Sequence, residues 1–224
     1  VGLGQAGGGG VARLGLAGAD VHLGPVGQEA RGDHLAEAAG AAGDERGLAG
    51  QDDALILEPK VFGDARGFFL ESYNKRVLAE AAGIRAEFVQ DNHSRSARGV
   101  LRGLHYQLQQ PQGKLVRVAG GAVFDVAVDI RRSSPTFGKV ACVELSDANQ
   151  RMFWLPPGLA HGFLVVSESA DFLYKTTDYY APEHERCILW NDAELAIPWP
   201  LTSAPALSAK DVNGVPFAVA ELFP

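Results

Sequence analysis

The chain has 224 residues, 46% of them hydrophobic and 21% charged, and carries a net charge of −7 at pH 7. No apolar run reaches the roughly 18 residues needed to span a bilayer, and the acidic balance argues against nucleic acid or an anionic membrane as the main partner. A small anionic ligand remains compatible with it, because that needs only a local group of cations.

The texture along the chain is uneven. Of the 27 glycines, 15 fall in residues 1–50, together with 11 alanines, while all 19 aromatic residues lie after residue 50. A hydrophobic core spanning the whole length is therefore excluded, since the first stretch brings almost nothing large to bury. Residues 1–52 are expected to form a Gly/Ala-rich extension, either flexible or translated from upstream of the true start, and residues 53–224 to form the folded domain. A short helix over residues 28–42 would be weakened by Gly32 and Gly40. The N-terminus lacks the basic flank and apolar run of a secretory signal. Cys142 and Cys187 are too few for a disulfide scaffold, so a cytoplasmic location is expected.

From Ala54 onward the elements can be taken in order. Leu55–Leu57 is a strand ended by Pro59. Asn74 caps a helix running to Ala82, with Gly83 as its stop. Leu115–Ala119 and Val123–Ile130 flank Gly120-Gly121, which reads as a hairpin turn. Lys139–Leu145, Met152–Leu155, Gly162–Val166 and Phe172–Thr177 complete a series of short strands. With one clear helix among so many strands, the expected fold is all-β, a jelly roll of the cupin-like, double-stranded β-helix type with one or two short helices.

Three segments carry more functional side chains than a β core needs. Arg102 and His105 lie three apart around Gly103; His161 follows the Pro156-Pro157-Gly158 turn; Phe172, Tyr174 and Thr176 alternate on one strand face. Taken alone, each also fits a structural role, a core histidine bonded to backbone or a packed tyrosine. The His-x-His of metal-binding cupins is missing at both histidines, so no metal is expected. Neither a Walker loop nor a Gly-x-Ser-x-Gly elbow occurs.

The segments Val61–Tyr73, Phe88–Ser94, Val100–Gln107, Gly113–Arg117, Val123–Arg131, Pro157–Phe163, Phe172–Lys175 and Leu207–Asp211 resemble the dTDP-4-dehydrorhamnose 3,5-epimerases, in order, over roughly Asp53–Phe217. The resemblance implies a homodimeric enzyme without metal or organic cofactor. Its substrate would be a dTDP-4-keto-6-deoxy sugar, epimerised at C3 and C5 on the way to dTDP-L-rhamnose. His105 matches the family's base, Asp211 the carboxylate that orients it, Tyr174 the acid on the opposite face, and Lys114 the cation near the enolate oxygen. Arg66, Glu71, Gln90, Asn92, Arg102, His161, Glu185 and Lys210 match positions that bind the substrate or its diphosphate. Epimerisation at a single carbon, and sugar-nucleotide binding without catalysis, are the alternatives. Two departures stand out. Gly43–Gln51 does not resemble the family's first strand, which puts dimer stability in question, and Gln109–Gln112 is a loop insert expected to be tolerated.

Overall fold

A computed structural model describes residues 53–224 and the backbone of residues 12–16. The expected helix over residues 28–42 lies outside the described residues. In chain order the strands and helices are β1 (Ala12–Leu16), β2 (Leu55–Pro59), β3 (Val61–Asp64), β4 (Gly67–Leu70), α1 (Lys75–Ala81), β5 (Gln90–Ala97), β6 (Leu101–Gln107), β7 (Lys114–Gly120), β8 (Ala122–Asp129), β9 (Val140–Ser146), β10 (Met152–Leu155), β11 (Leu159–Val165), β12 (Ser169–Thr176), β13 (Glu185–Cys187) and α2 (Ala209–Val212).

Two sheets face each other, as expected of a jelly roll. The first has the order β1-β2-β10-β7-β12-β5 and the second β13-β6-β11-β8-β9; β3 and β4 form a separate hairpin. Between the named strands all pairings are antiparallel except β1 with β2. The interior between the sheets is filled by Ile56, Val116, Phe153 and Phe172 from one side and Val123, Ala127, Leu145 and Phe163 from the other. Phe163 and Phe172 stack across the gap with ring centroids 4.1 Å apart.

Both sheets are also covered on their outer faces. Leu55, Leu57, Leu115 and Trp154 pack beneath α1 through Leu78 and Ala82. Leu104, Val126, Val128 and Ala160 pack against Ile188, Leu195 and Phe217 of the C-terminal segment. This double coverage explains why β8 is apolar at nearly every position instead of alternating with polar residues. The helix forms where expected: the Asn74 side chain accepts from the Arg76 and Val77 N–H groups, and Gly83 turns the chain at φ +68°.

The hairpin expected at Gly120-Gly121 is corrected. β7 pairs with β10 and β12, and β8 with β9 and β11, so the chain crosses from one sheet to the other at this turn. A two-glycine turn supplies the reversal whether or not the flanking strands pair. Here Gly121 has φ +78°, and a Cβ on it would fall 1.9 Å from the Ser169 carbonyl oxygen. No helix among the described residues is long and apolar enough to cross a membrane.

Candidate active site

The strand alternation that fills the interior also decides which polar side chains enter it. On the first sheet, Gln90, Asn92 and Ser94 of β5, Lys114 of β7, and Phe172 and Tyr174 of β12 point inward. On the second, Arg102 and His105 of β6, His161 and Phe163 of β11, and Glu185 of β13 do so. With Tyr180, Ser208, Lys210 and Asp211 from the C-terminal segment they line a cavity of about 370 Å³.

Arg102 and His105 cannot share a face of a regular strand, because their separation is odd. The β6–β11 register shifts between the pairs His161↔His105 and Phe163↔Arg102, so both residues reach the pocket. Gly103 sits at this irregularity with φ +126°. A Cβ there would lie 2.5 Å from Gly162 Cα and 2.7 Å from the His161 carbonyl oxygen. The two glycines thus let the backbones approach closely between the two histidines.

His105 Nε2 lies 2.8 Å from Asp211 Oδ1. Asp211 is 1% exposed and is held by α2: Ser208 and Asp211 form a capping box, with the Ser208 hydroxyl donating to Oδ2 at 2.6 Å and the Ser208 N–H at 3.1 Å. The Gly103 N–H donates to Oδ1 at 3.0 Å. Burial would raise the pKa of this carboxyl. His105, the Ser208 hydroxyl and the Gly103 N–H outweigh burial and hold it well below the usual carboxylate range.

His161 stands directly opposite His105 in the β6–β11 register and has its own carboxylate. Its Nε2 lies 3.0 and 3.1 Å from the two oxygens of Asp125, which is fully buried. Burial lowers the His161 pKa; Asp125 opposes that, while Lys114 and His105 add to it. The sequence reading missed Ser94, Gln112, Tyr180 and Ser208 of the cavity wall, and Asp125 behind His161. The signal for Asp125 was an acidic residue in mid-strand on the inward-facing parity, between Val123 and Ala127.

The Lys114 ammonium makes no hydrogen bond among the described residues. Burial pushes its pKa down to about 8, against the pull of Asp125 and Glu185. The Tyr174 hydroxyl also has no hydrogen bond among the described residues; burial raises its pKa, and Arg102 partly offsets this. Arg102 donates through Nε and Nη2 to Ser96 Oγ at 3.2 and 3.0 Å. Lys210 pairs with Glu185 and donates to the Tyr180 hydroxyl at 3.0 Å, while Tyr180 donates to Glu185 at 2.9 Å.

Of the residues expected at the site, His105, Lys114, Tyr174, Asp211, Gln90, Asn92, Arg102, His161, Glu185 and Lys210 line this one cavity. Arg66 and Glu71 do not. Arg66 is on the β3–β4 turn, bonded to Asp64, and Glu71 follows β4 on the surface. The hairpin projects these two side chains away from the interior of their own chain. One group of metal-ligand types occurs among the described residues, His105, Cys187 and Asp211, with one ligand atom from each lying within 4.8 Å of the others.

The arrangement offers a histidine–carboxylate pair, an ammonium and a phenol around one cavity, with further cations at its edge. That set can remove a proton, stabilise negative charge on oxygen and return a proton. Residues 50–218 match the family model described as dTDP-4-dehydrorhamnose 3,5-epimerase. The chain is similar to the dTDP-4-dehydrorhamnose 3,5-epimerase of Pseudomonas aeruginosa, 65% identical over 172 residues, covering 77% of this chain and 95% of that one. Among solved structures, it superposes on the dTDP-6-deoxy-D-glucose-3,5-epimerase of Legionella pneumophila in complex with dTDP-4-keto-L-rhamnose. The TM-score is 0.73 and the identity 57%, over 74% of this chain and 88% of that one. A 3'-monoepimerase from Streptomyces bikiniensis in complex with dTDP-quinovose aligns with a TM-score of 0.69 at 32% identity, over 74% of this chain and 84% of that one.

Proposed function

The chain belongs to the dTDP-4-dehydrorhamnose 3,5-epimerase family, and from that premise we infer that the cavity between its sheets is where the reaction occurs. It is an isomerase that converts dTDP-4-dehydro-6-deoxy-D-glucose into dTDP-4-dehydro-L-rhamnose, a step in dTDP-L-rhamnose biosynthesis.

The substrate ketone at C4 acidifies the protons on C3 and C5. His105 is the base that takes each proton, and Asp211 fixes the ring and stabilises its charged form. Lys114 faces the enolate oxygen, where an ammonium with no competing hydrogen bond among the described residues stabilises developing charge. Tyr174, on the opposite sheet from His105, returns a proton to the other face of the sugar. Arg102 and Lys210 suit the diphosphate, Arg102 by its planar fork. Gln90, Asn92, His161 and Glu185 orient the sugar and the nucleotide. None of these steps calls on a metal or organic cofactor.

The observation that carries this reading is the convergence of the His105–Asp211 pair, Lys114 and Tyr174 on one cavity. Turnover in deuterium oxide, followed by NMR, tests it. Deuterium at both C3 and C5 of an L-configured product is expected. Exchange at C3 alone identifies a single-carbon epimerase, and binding without exchange a non-catalytic sugar-nucleotide binder.

The homodimer is part of the same reading. The β3–β4 hairpin exposes Phe62, Phe68 and Phe69, each more than half accessible, beside Arg66 and Glu71. Such an apolar hairpin suits burial against a second copy. There Arg66 and Glu71 would contribute to the partner's pocket, which reconciles their expected substrate contacts with their distance from their own. We read the location as cytoplasmic, supported by two free cysteines.

A further inference from the structure

We propose that His105, Cys187 and Asp211 form a binding site for a thiophilic divalent cation, such as zinc or cadmium, and that its occupation shuts the enzyme off. The inhibitory consequence rests on the reading of His105 as the base; the binding itself does not.

Cys187 is placed beside the base by strand pairing: on the β13–β6 ladder Cys187 is the direct partner of His105. One ligand atom from each of His105, Cys187 and Asp211 lies within 4.8 Å of the other two. Tetrahedral coordination at metal–ligand distances near 2.0–2.3 Å separates donor atoms by roughly 3.3–3.8 Å, so side-chain movements of about 1 Å complete it. Imidazole, thiolate and carboxylate are a donor set for zinc-like ions, and three protein ligands leave a fourth position open.

Two further observations point to a cation. His105 Nε2 is buried and, 2.8 Å from Asp211, lies outside hydrogen-bonding alignment, so the carboxylate meets this ring nitrogen as a close charge and not through a formed hydrogen bond. The surroundings are also acidic. Asp211 and Glu185 direct negative charge toward Cys187, with Lys210 opposing them. Those negative charges favour a bound metal ion. Lys210 and Lys114, the latter half-buried on the facing sheet, are charges that work against the cation.

Cadmium chloride is the probe, with two readouts. A thiolate-to-cadmium ultraviolet band is expected in the wild type and in Cys142→Ser, and is expected to vanish in Cys187→Ser and Cys187→Ala. Substrate exchange in deuterium oxide should be lost on adding cadmium and restored by a chelator. Cys187→Ser should keep its basal exchange and need at least about tenfold more cadmium, since even outer-shell partners change metal affinity on that scale. Thermal melting identifies whichever Cys187 variant remains folded. A missing band, a band lost with Cys142→Ser instead, or equal inhibition of wild type and Cys187→Ser overturns the proposal. A band assigned to Cys187 with exchange undisturbed overturns the inhibitory part of the proposal.

Discussion

His105 and His161 stand opposite each other across the β6–β11 ladder, and each leans on a buried carboxylate from a different part of the chain. Asp211 reaches His105 from the capping box of a one-turn helix, whereas Asp125 reaches His161 from the neighbouring strand β8. The environments differ in one decisive way. His161 is 8% exposed and its ring is stacked on Phe172, while the His105 side chain is 27% exposed at the cavity. A proton-transfer residue must meet its substrate, so His105 is placed to react and His161 to orient.

Replacing Asp211 with Asn therefore keeps the shape of the site but removes the charge that holds the His105 ring and stabilises its protonated form. A fall in kcat on the order of 10³–10⁴-fold is expected, by analogy with the carboxylate of hydrolase triads, with little change in nucleotide binding. Stopped-assay kinetics alongside calorimetric binding of dTDP check this, and an unchanged kcat would refute the role.

How much of this was legible beforehand depends on the kind of signal. The jelly roll followed from short strands and turn residues, and the helix at Lys75–Ala81 from the Asn74 cap and the Gly83 stop. The Gly120-Gly121 turn misled because local turn chemistry does not say whether the flanking strands pair or part. Asp125 stayed hidden since an acidic residue within an apolar strand is informative only once its inward parity and its partner 36 residues away are both known. Arg66 and Glu71 were named by resemblance alone. Single-chain geometry leaves them outside the cavity, where a second copy of the chain would be needed to bring them in.

Tyr174 and His105 lie on opposite sheets, which separates proton removal from proton return. Tyr174→Phe should then stop inversion without stopping enolisation. Deuterium should still enter at the substrate's own configuration, because the base can return the label to the face from which it took the proton, while the L-configured product falls by on the order of 10²-fold or more. NMR of the recovered sugar nucleotide distinguishes the two. Loss of both exchange and inversion would mean that Tyr174 serves the removal step as well.

The close approach at Gly103 and Gly162 makes a structural prediction. A methyl group at Gly103 meets backbone atoms at 2.5 and 2.7 Å at a φ of +126°, and one at Gly162 meets the Arg102 carbonyl oxygen at 2.7 Å. Neither contact is with a flexible side chain that could move aside. Gly103→Ala should destabilise by at least about 1–3 kcal/mol, the usual cost of overpacking, and displace His105 from Asp211. Denaturant unfolding with parallel activity measurement checks both parts. A variant with wild-type stability would show that the β6–β11 contact is looser than the geometry implies.

The hairpin carries its own test. Phe62→Ser combined with Phe69→Ser removes exposed apolar surface and no core contact, so the folded domain should survive while the dimer weakens. Size-exclusion chromatography coupled to light scattering should show a smaller species. Arg66→Ala should raise KM with a smaller effect on kcat if that side chain completes a neighbour's pocket. A double variant that remains dimeric would place the interface elsewhere.

Lys114 links stability to catalysis with opposite signs. Burial lowers its pKa from 10.5 to about 8, so the folded protein holds this ammonium less readily than the unfolded chain does. The resulting cost is fully present below about pH 8. It is relieved as pH rises from there to the unfolded value, because over that window the unfolded state binds the extra proton. Catalysis needs the charged form, so kcat/KM, which reports the free enzyme, should fall on the alkaline side with a midpoint near 8. Lys114→Met should lower kcat on the order of 10²–10³-fold while raising stability at pH 7 on the order of 2–3 kcal/mol, and should erase the alkaline gain in wild-type stability. Lys114→Arg keeps its charge across the range, so whatever activity it retains should lose the limb near pH 8. An alkaline limb that persists at the same pH in Lys114→Arg would assign the titration to another group.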